Sequence, residues 1–186
     1  MRSGRGGPAK VPAVLLVGFM GAGKTSVGRA LAARLGWEFE DLDNRIERRE
    51  GRTVPEIFRD SGEDHFRRAE TEALKELLEE LTNSSFRVVA MGGGAFVQQS
   101  NVALVRASGV QVVFLDAPVK ELWQRCSEQA IVDGVERPLR SDQEKFGRLY
   151  ALRRSRYLQA KVRIDTSGKP VDQVAAEVAA ALHLET

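Results

Sequence analysis

Cysteine and histidine are scarce in the 186-residue chain, with one Cys, Cys126, and two His. A single thiol excludes an internal disulfide framework. It has no companions at metal-ligand spacing, so it reads as a free thiol in a reducing compartment. His65 and His183 stand in no motif and read as surface residues. No apolar run approaches the roughly 18–20 residues that a membrane span needs. No apolar signal core with a small-residue cleavage site opens the sequence. Residues 1–10 are basic and glycine-rich and read as a disordered tail; residues 11–17 read as a strand. These absences point to a cytoplasmic chain with no membrane partner. Neither sign of charge dominates either: 28 Lys and Arg face 26 Asp and Glu, for a formal net charge of +2. So small a surplus argues against nucleic acid as the main partner.

What is present describes one domain, residues 11–186. Hydrophobic residues make up 42% and charged residues 29%, ordinary for a soluble globular chain long enough for a proper core. The run at 11–17 has the valine and leucine content of a buried parallel strand. Residues 24–35 form a helical stretch closed by Gly36. Further strands are expected at 37–40, 87–91, 110–115 and 162–165. Short charged helices are expected at 44–51 and 54–60, and longer ones at 63–81, 142–161 and 171–182. Pro118 occupies a favoured helix-opening position. Residues 127–140 lack a clear period and contain Gly134 and Pro138, which reads as a loop or lid. Strands alternating with helices predict an α/β fold: an open five-stranded parallel sheet covered on both faces, in three layers.

The first strand runs into Gly18-Phe19-Met20-Gly21-Ala22-Gly23-Lys24-Thr25, which matches G-x-x-x-x-G-K-[ST]. Glycines let backbone N–H groups turn inward around phosphate oxygens. The helix start adds unpaired donors and a positive dipole end. Lys24 offers charge to the β- and γ-phosphates, and the Thr25 hydroxyl offers a ligand to magnesium. Gly21, Ala22, Gly23, Lys24, Thr25 and Ser26 are therefore the candidate ATP-binding residues. Asp41 and Asp43 follow the second strand, at the rim where open parallel sheets bind ligands. Asp41 is a candidate magnesium ligand, acting through water. Asp43 is placed to orient or deprotonate an attacking hydroxyl. A helix cap is the alternative role for Asp43.

Taken together, these segments resemble shikimate kinase from about residue 14 to residue 182. The resemblance rests on residues 18–28, Asp41-Leu42-Asp43, Gly62-Glu63 with Phe66-Arg67-Arg68-Ala69-Glu70, Gly92-Gly93-Gly94-Ala95, Arg137-Pro138-Leu139, Arg153 with Tyr157, and Asp165-Thr166. It implies a P-loop fold like that of nucleoside monophosphate kinases. It also implies transfer of phosphate from ATP, with Mg2+, to the 3-hydroxyl of shikimate, in chorismate and aromatic amino acid biosynthesis. By the same resemblance, Arg67 and Arg153 grip the substrate carboxylate, and Gly93 and Gly94 approach the ring hydroxyls. Asp43 holds the reacting hydroxyl, Arg125 lies against adenine, and Arg137 closes over the transferring phosphate. The substrate-binding region is then about 44–73, the lid about 127–140, and a monomer is expected.

Arginine's planar fork suits a carboxylate, and successive glycines clear a shelf for a ligand. Arg67 and Arg68 also sit on a charged helix, where Glu63, Asp64 or Glu70 could pair with them. One departure from the family pattern lies at Arg153-Arg154-Ser155-Arg156-Tyr157, where many members have Arg-x-Pro-Leu-Tyr. The register favours Arg153 as carboxylate ligand, with Arg154 adjacent. Residues 137–163 hold nine basic side chains and two acidic ones, but no aromatic stacking pattern accompanies them. Two other readings share the phosphate loop: a kinase acting on gluconate or a nucleoside monophosphate, and a catalytically silent nucleotide-binding homologue.

Overall fold

A computed structural model of the chain describes residues 13–82, 86–133 and 142–184. Five parallel strands form one sheet: β1 Ala13–Val17, β2 Glu38–Asp41, β3 Arg87–Ala90, β4 Gln111–Asp116 and β5 Val162–Asp165. Their order is β2-β3-β1-β4-β5. Among the described residues seven α-helices accompany them: α1 Lys24–Leu35, α2 Leu42–Glu50, α3 Val54–Thr82, α4 Gln99–Ser108, α5 Val119–Asp133, α6 Gln143–Tyr157 and α7 Val171–Ala181.

β1 is fully buried along its length, as its unbroken apolar sequence requires. From β1 the chain moves one way across the sheet, and every later crossover moves the other way. Right-handed crossovers therefore put α1 on one face and α3 to α6 on the opposite one. α7 returns to pack beside α1. The result is three layers, as the alternating pattern predicts. β1 lies between β3 and β4, the point where strand order reverses and a crevice opens at the carboxyl ends. The phosphate loop follows β1, and the triple glycine follows β3, so both line that crevice.

Several local expectations are corrected. The capping residue of α2 is Asp41, not Asp43: its side chain accepts the Asp43 N–H at 3.0 Å. The two helices expected at 54–60 and 63–81 are borne out: they meet at Gly62, whose φ 78° and ψ 176° are not helical, and run on through that kink. α5 continues to Asp133, so residues 127–133 are helical rather than loop. Ser127 fits this helix because its hydroxyl donates back to the Trp123 carbonyl at 2.9 Å. α6 begins after Asp142, whose carboxylate caps it by accepting Lys145 N–H at 2.9 Å, and it stops at Tyr157. The remainder of the expected lid, Arg137 and the tail at 1–10 lie outside the described residues. His65 pairs with Glu50, Nε2 to Oε2 at 2.8 Å, rather than standing alone on the surface.

Candidate active site

The phosphate loop connects β1 to α1. Gly21 has φ +78°, and a Cβ there would sit 2.6 Å from the Leu122 carbonyl oxygen. Both conformation and space thus demand glycine. Lys24 folds back over the loop, its ammonium donating to the carbonyls of Gly18 and Phe19 at 3.0 Å each. Burial lowers its pKa from 10.5, opposed by the charges of Asp43 and Asp41. The two aspartates therefore help keep a buried ammonium charged where phosphate would lie.

Thr25 donates its hydroxyl proton to Asp41 Oδ2 at 3.0 Å. The other carboxylate oxygen of Asp41 caps α2. This cap fixes the first turn of α2 and with it Asp43. A Cβ on Gly92 would lie 2.5 Å from Asp43 Oδ1, so the carboxylate rests directly against the start of the glycine shelf.

The two candidate carboxylate-binding arginines reach the same shelf from other elements. Arg67, on α3, lies against Gly94 so closely that a Cβ there would overlap its Nη1. Arg153, on α6, approaches Gly93, its Nη1 donating to the carbonyl at 3.4 Å. Asp43, Arg67 and Arg153 thus converge on three consecutive glycines from α2, α3 and α6. Arg67 also makes the pairs its helical spacing predicted, with Glu63 at 3.1 Å and Glu70 at 3.0 Å. Burial alone would lower the Arg67 pKa; Glu70 and Glu63 outweigh it and raise it.

Arg154 points elsewhere. Its guanidinium pairs with Asp116 at 2.9 Å and donates to the Tyr150 hydroxyl at 3.1 Å. Of the adjacent arginines, Arg153 is the one at the shelf. Arg125 sits beside the phosphate loop, donating to Thr166 Oγ1 at 3.0 Å, the Thr166 carbonyl at 2.7 Å and Gly21 O at 3.4 Å. Glu121 pairs with it at 2.5 Å.

Three residues outside the candidate ligand set support this arrangement. Glu70 is buried, accepts from Arg67 and from Gln98 Nε2 at 2.6 Å, and has its pKa raised by burial against the pull of Arg67. Tyr157 is fully buried and donates to the Gly93 carbonyl; burial pushes its pKa up to about 12. Thr166 anchors Arg125 and donates its own N–H to the Asp116 carbonyl at 2.8 Å. Glu70 was legible as an i+3 partner of Arg67, whereas the other two contacts span too much sequence for any local pattern.

A cavity of about 590 Å³ opens along edge strand β2 and shares Asp41 with this crevice. Arg45, Arg48 and Arg87 in its lining are already ion-paired. Arg45 forks to both Glu40 and Glu80, and Arg87 pairs with Glu38, Glu40 and Glu80. Hydrogen bonding from Arg45 holds the Glu80 pKa down at about 2. Mutual neutralisation makes this a structural ion-pair lattice over an edge strand, not a competing site.

A family model described as shikimate kinase matches residues 20–183. The shikimate kinase of Geobacter metallireducens is 44% identical over 174 residues, covering 92% of each chain. The structure of shikimate kinase from Acinetobacter baumannii in complex with shikimate superposes with a TM-score of 0.78 at 36% identity, covering 94% of each chain. That of Aquifex aeolicus shikimate kinase gives 0.75 at 30% identity, covering 92% of this chain and 96% of its own. With the phosphate loop, aspartate pair and glycine shelf meeting in one crevice, the chain belongs to the shikimate kinase family.

Proposed function

We propose that this protein transfers the γ-phosphoryl group of ATP to the 3-hydroxyl of shikimate, releasing ADP and shikimate 3-phosphate. The observation that carries this reading is the convergence of Asp43, Arg67 and Arg153 on Gly92 to Gly94 beside the phosphate loop. A small acid with ring hydroxyls meets there two arginine forks for its carboxylate, backbone edges for its hydroxyls and a carboxylate for the reacting oxygen. The shikimate-bound relative from Acinetobacter baumannii supports the choice of acceptor. A nucleotide acceptor has no carboxylate for Arg67 and Arg153; gluconate does, and the family match favours shikimate over it.

Each residue then has a task. Lys24 leaves its carbonyl partners for the β- and γ-phosphates. Asp43 accepts a hydrogen bond from the 3-hydroxyl and aligns its oxygen with the γ-phosphorus. Arg67 and Arg153 fix the ring, so most of the acceleration comes from positioning and charge stabilisation. Arg125 and Thr166 border the nucleotide base, and Arg137 covers the transferring group from the lid at about 127–140. The adjoining Thr25 hydroxyl and Asp41 carboxylate are hard oxygen donors that suit Mg2+, Thr25 directly and Asp41 through water. The metal would neutralise phosphate charge during transfer. No helix among the described residues is long and apolar enough to cross a membrane. The reading of the chain as a cytoplasmic monomer acting in chorismate biosynthesis rests on the family it belongs to.

The test is ADP release by purified protein with Mg-ATP, with and without shikimate, with gluconate and AMP as controls. Shikimate alone is expected to stimulate release by at least about a hundredfold, given the scale of positioning effects. Stimulation by gluconate or AMP instead would replace the acceptor. No stimulation by any of them, with ATP still bound, would favour the silent homologue.

A further inference from the structure

Asp116 ends β4 and is almost fully buried, with 3% of its surface exposed. Its carboxylate serves three side chains from two elements. Oδ2 accepts from Arg154 and Arg163 at 2.9 Å each, and Oδ1 accepts from the Tyr150 hydroxyl at 3.2 Å. Arg154 Nε also donates to the Tyr150 hydroxyl at 3.1 Å. Tyr150 and Arg154 are one turn apart on α6, so two successive turns of the helix are tied to one carboxylate. Arg163 belongs to β5, which binds the same point to the sheet.

The neighbouring row of α6 carries Arg153 and Tyr157, which reach Gly93. Among the described residues Arg153 has no carboxylate partner. It has the Gly93 carbonyl, the Tyr157 hydroxyl and the Phe19 ring, whose centroid lies 5.9 Å from its Cζ. None of these partners is a charge, so where Arg153 reaches follows from the placement of α6, which Tyr157 at Gly93 holds from one side and the Asp116 cluster from the other.

We propose that Asp116 is a positioning residue for the acid substrate. Through Arg154 and Tyr150 it fixes the rotation of α6 and thereby aims Arg153 at the glycine shelf. The inference rests on the reading of Arg153 as a substrate-carboxylate ligand. The main-chain carbonyl of Asp116 separately accepts from the N–H and hydroxyl of Thr166, at 2.8 and 3.2 Å, on the nucleotide side. Side-chain variants leave that carbonyl in place, so the two sides are separable by experiment.

Steady-state kinetics of Asp116→Asn, Arg154→Gln and the double variant test this. Either single change is expected to raise the shikimate KM about tenfold, with the ATP KM within about twofold, because small misplacements cost up to about 10²-fold. The double variant is expected to be no worse than the worse single one, since both remove one connection. Lost folding alone lowers kcat per milligram and leaves both KM values unchanged, and that pattern would overturn the proposal. Equal rises in both KM values would also overturn it. Arg153→Met separates the two levels. A large rise in shikimate KM there, with none in Arg154→Gln, refutes positioning alone. No rise in Arg153→Met removes the reading of Arg153 itself.

Discussion

Asp43→Asn is expected to lower kcat by about 10²–10⁴-fold while ATP affinity stays within about twofold. The asymmetry follows from where Asp43 sits. It belongs to the first turn of α2, fixed there by the Asp41 cap, and its carboxylate rests against Gly92. Asparagine keeps the shape and the turn, so the shelf and the phosphate loop survive. What is lost is the negative charge facing the acceptor hydroxyl. A second consequence concerns Lys24. Burial lowers its pKa, and Asp43 is the largest influence opposing that shift. Without Asp43 the pKa falls further, so the ammonium loses its proton at a lower pH. The alkaline limb of the residual activity is therefore expected to move toward neutral pH. Stopped-time ADP assays across pH, with ATP binding measured separately by titration calorimetry, check both. Nearly normal turnover in the variant would remove Asp43 from the mechanism.

The parts of this site that were legible in the sequence are those encoded locally. The phosphate loop is a contiguous motif, and β1 and β5 are short runs bounded by clear signals. The break at Gly62 was legible as a gap between two helical patterns. α4 was not, because its inward face includes Asn101, fully buried and satisfied by the Ala95 carbonyl and by Thr71. A buried polar residue erases the apolar period on which a helix reading depends. The end of α5 was missed because residues 127–133 show no apolar period. The choice between ligand and ion-pair partner for Arg67 could not be made from spacing. The structure shows the ion pairs, and in them Glu70 and Glu63 hold the guanidinium against Gly94, where the proposed acid would lie. The choice between Arg153 and Arg154 depends on Asp116, nearly forty positions away in the chain.

Arg67→Met tests the shelf from its opposite end and is expected to act on affinity and on stability by separate routes. A carboxylate held by an arginine fork is worth about 1.5–3 kcal/mol per charge-assisted bond, so the shikimate KM is expected to rise about 10–10²-fold. The stability effect comes from the partner left behind. Glu70 is 1% exposed, and burial already raises its pKa above 4.5, with Arg67 as the main opposing influence. Removing Arg67 raises it further. Because that pKa is higher folded than unfolded, the folded state binds more protons between the two values. Stability is therefore retained below the unfolded pKa and lost as pH rises through the folded one. The variant should lose about 1–3 kcal/mol at pH 7, the cost of a buried group left without its partner. It should lose much less near pH 4. Urea unfolding at the two pH values checks this. The double variant Arg67→Met with Glu70→Gln should regain most of the stability at pH 7 while its shikimate KM stays high. Equal deficits at both pH values would show that Glu70 is not their source. A shikimate KM restored along with stability would mean that Arg67 serves the fold and not the substrate.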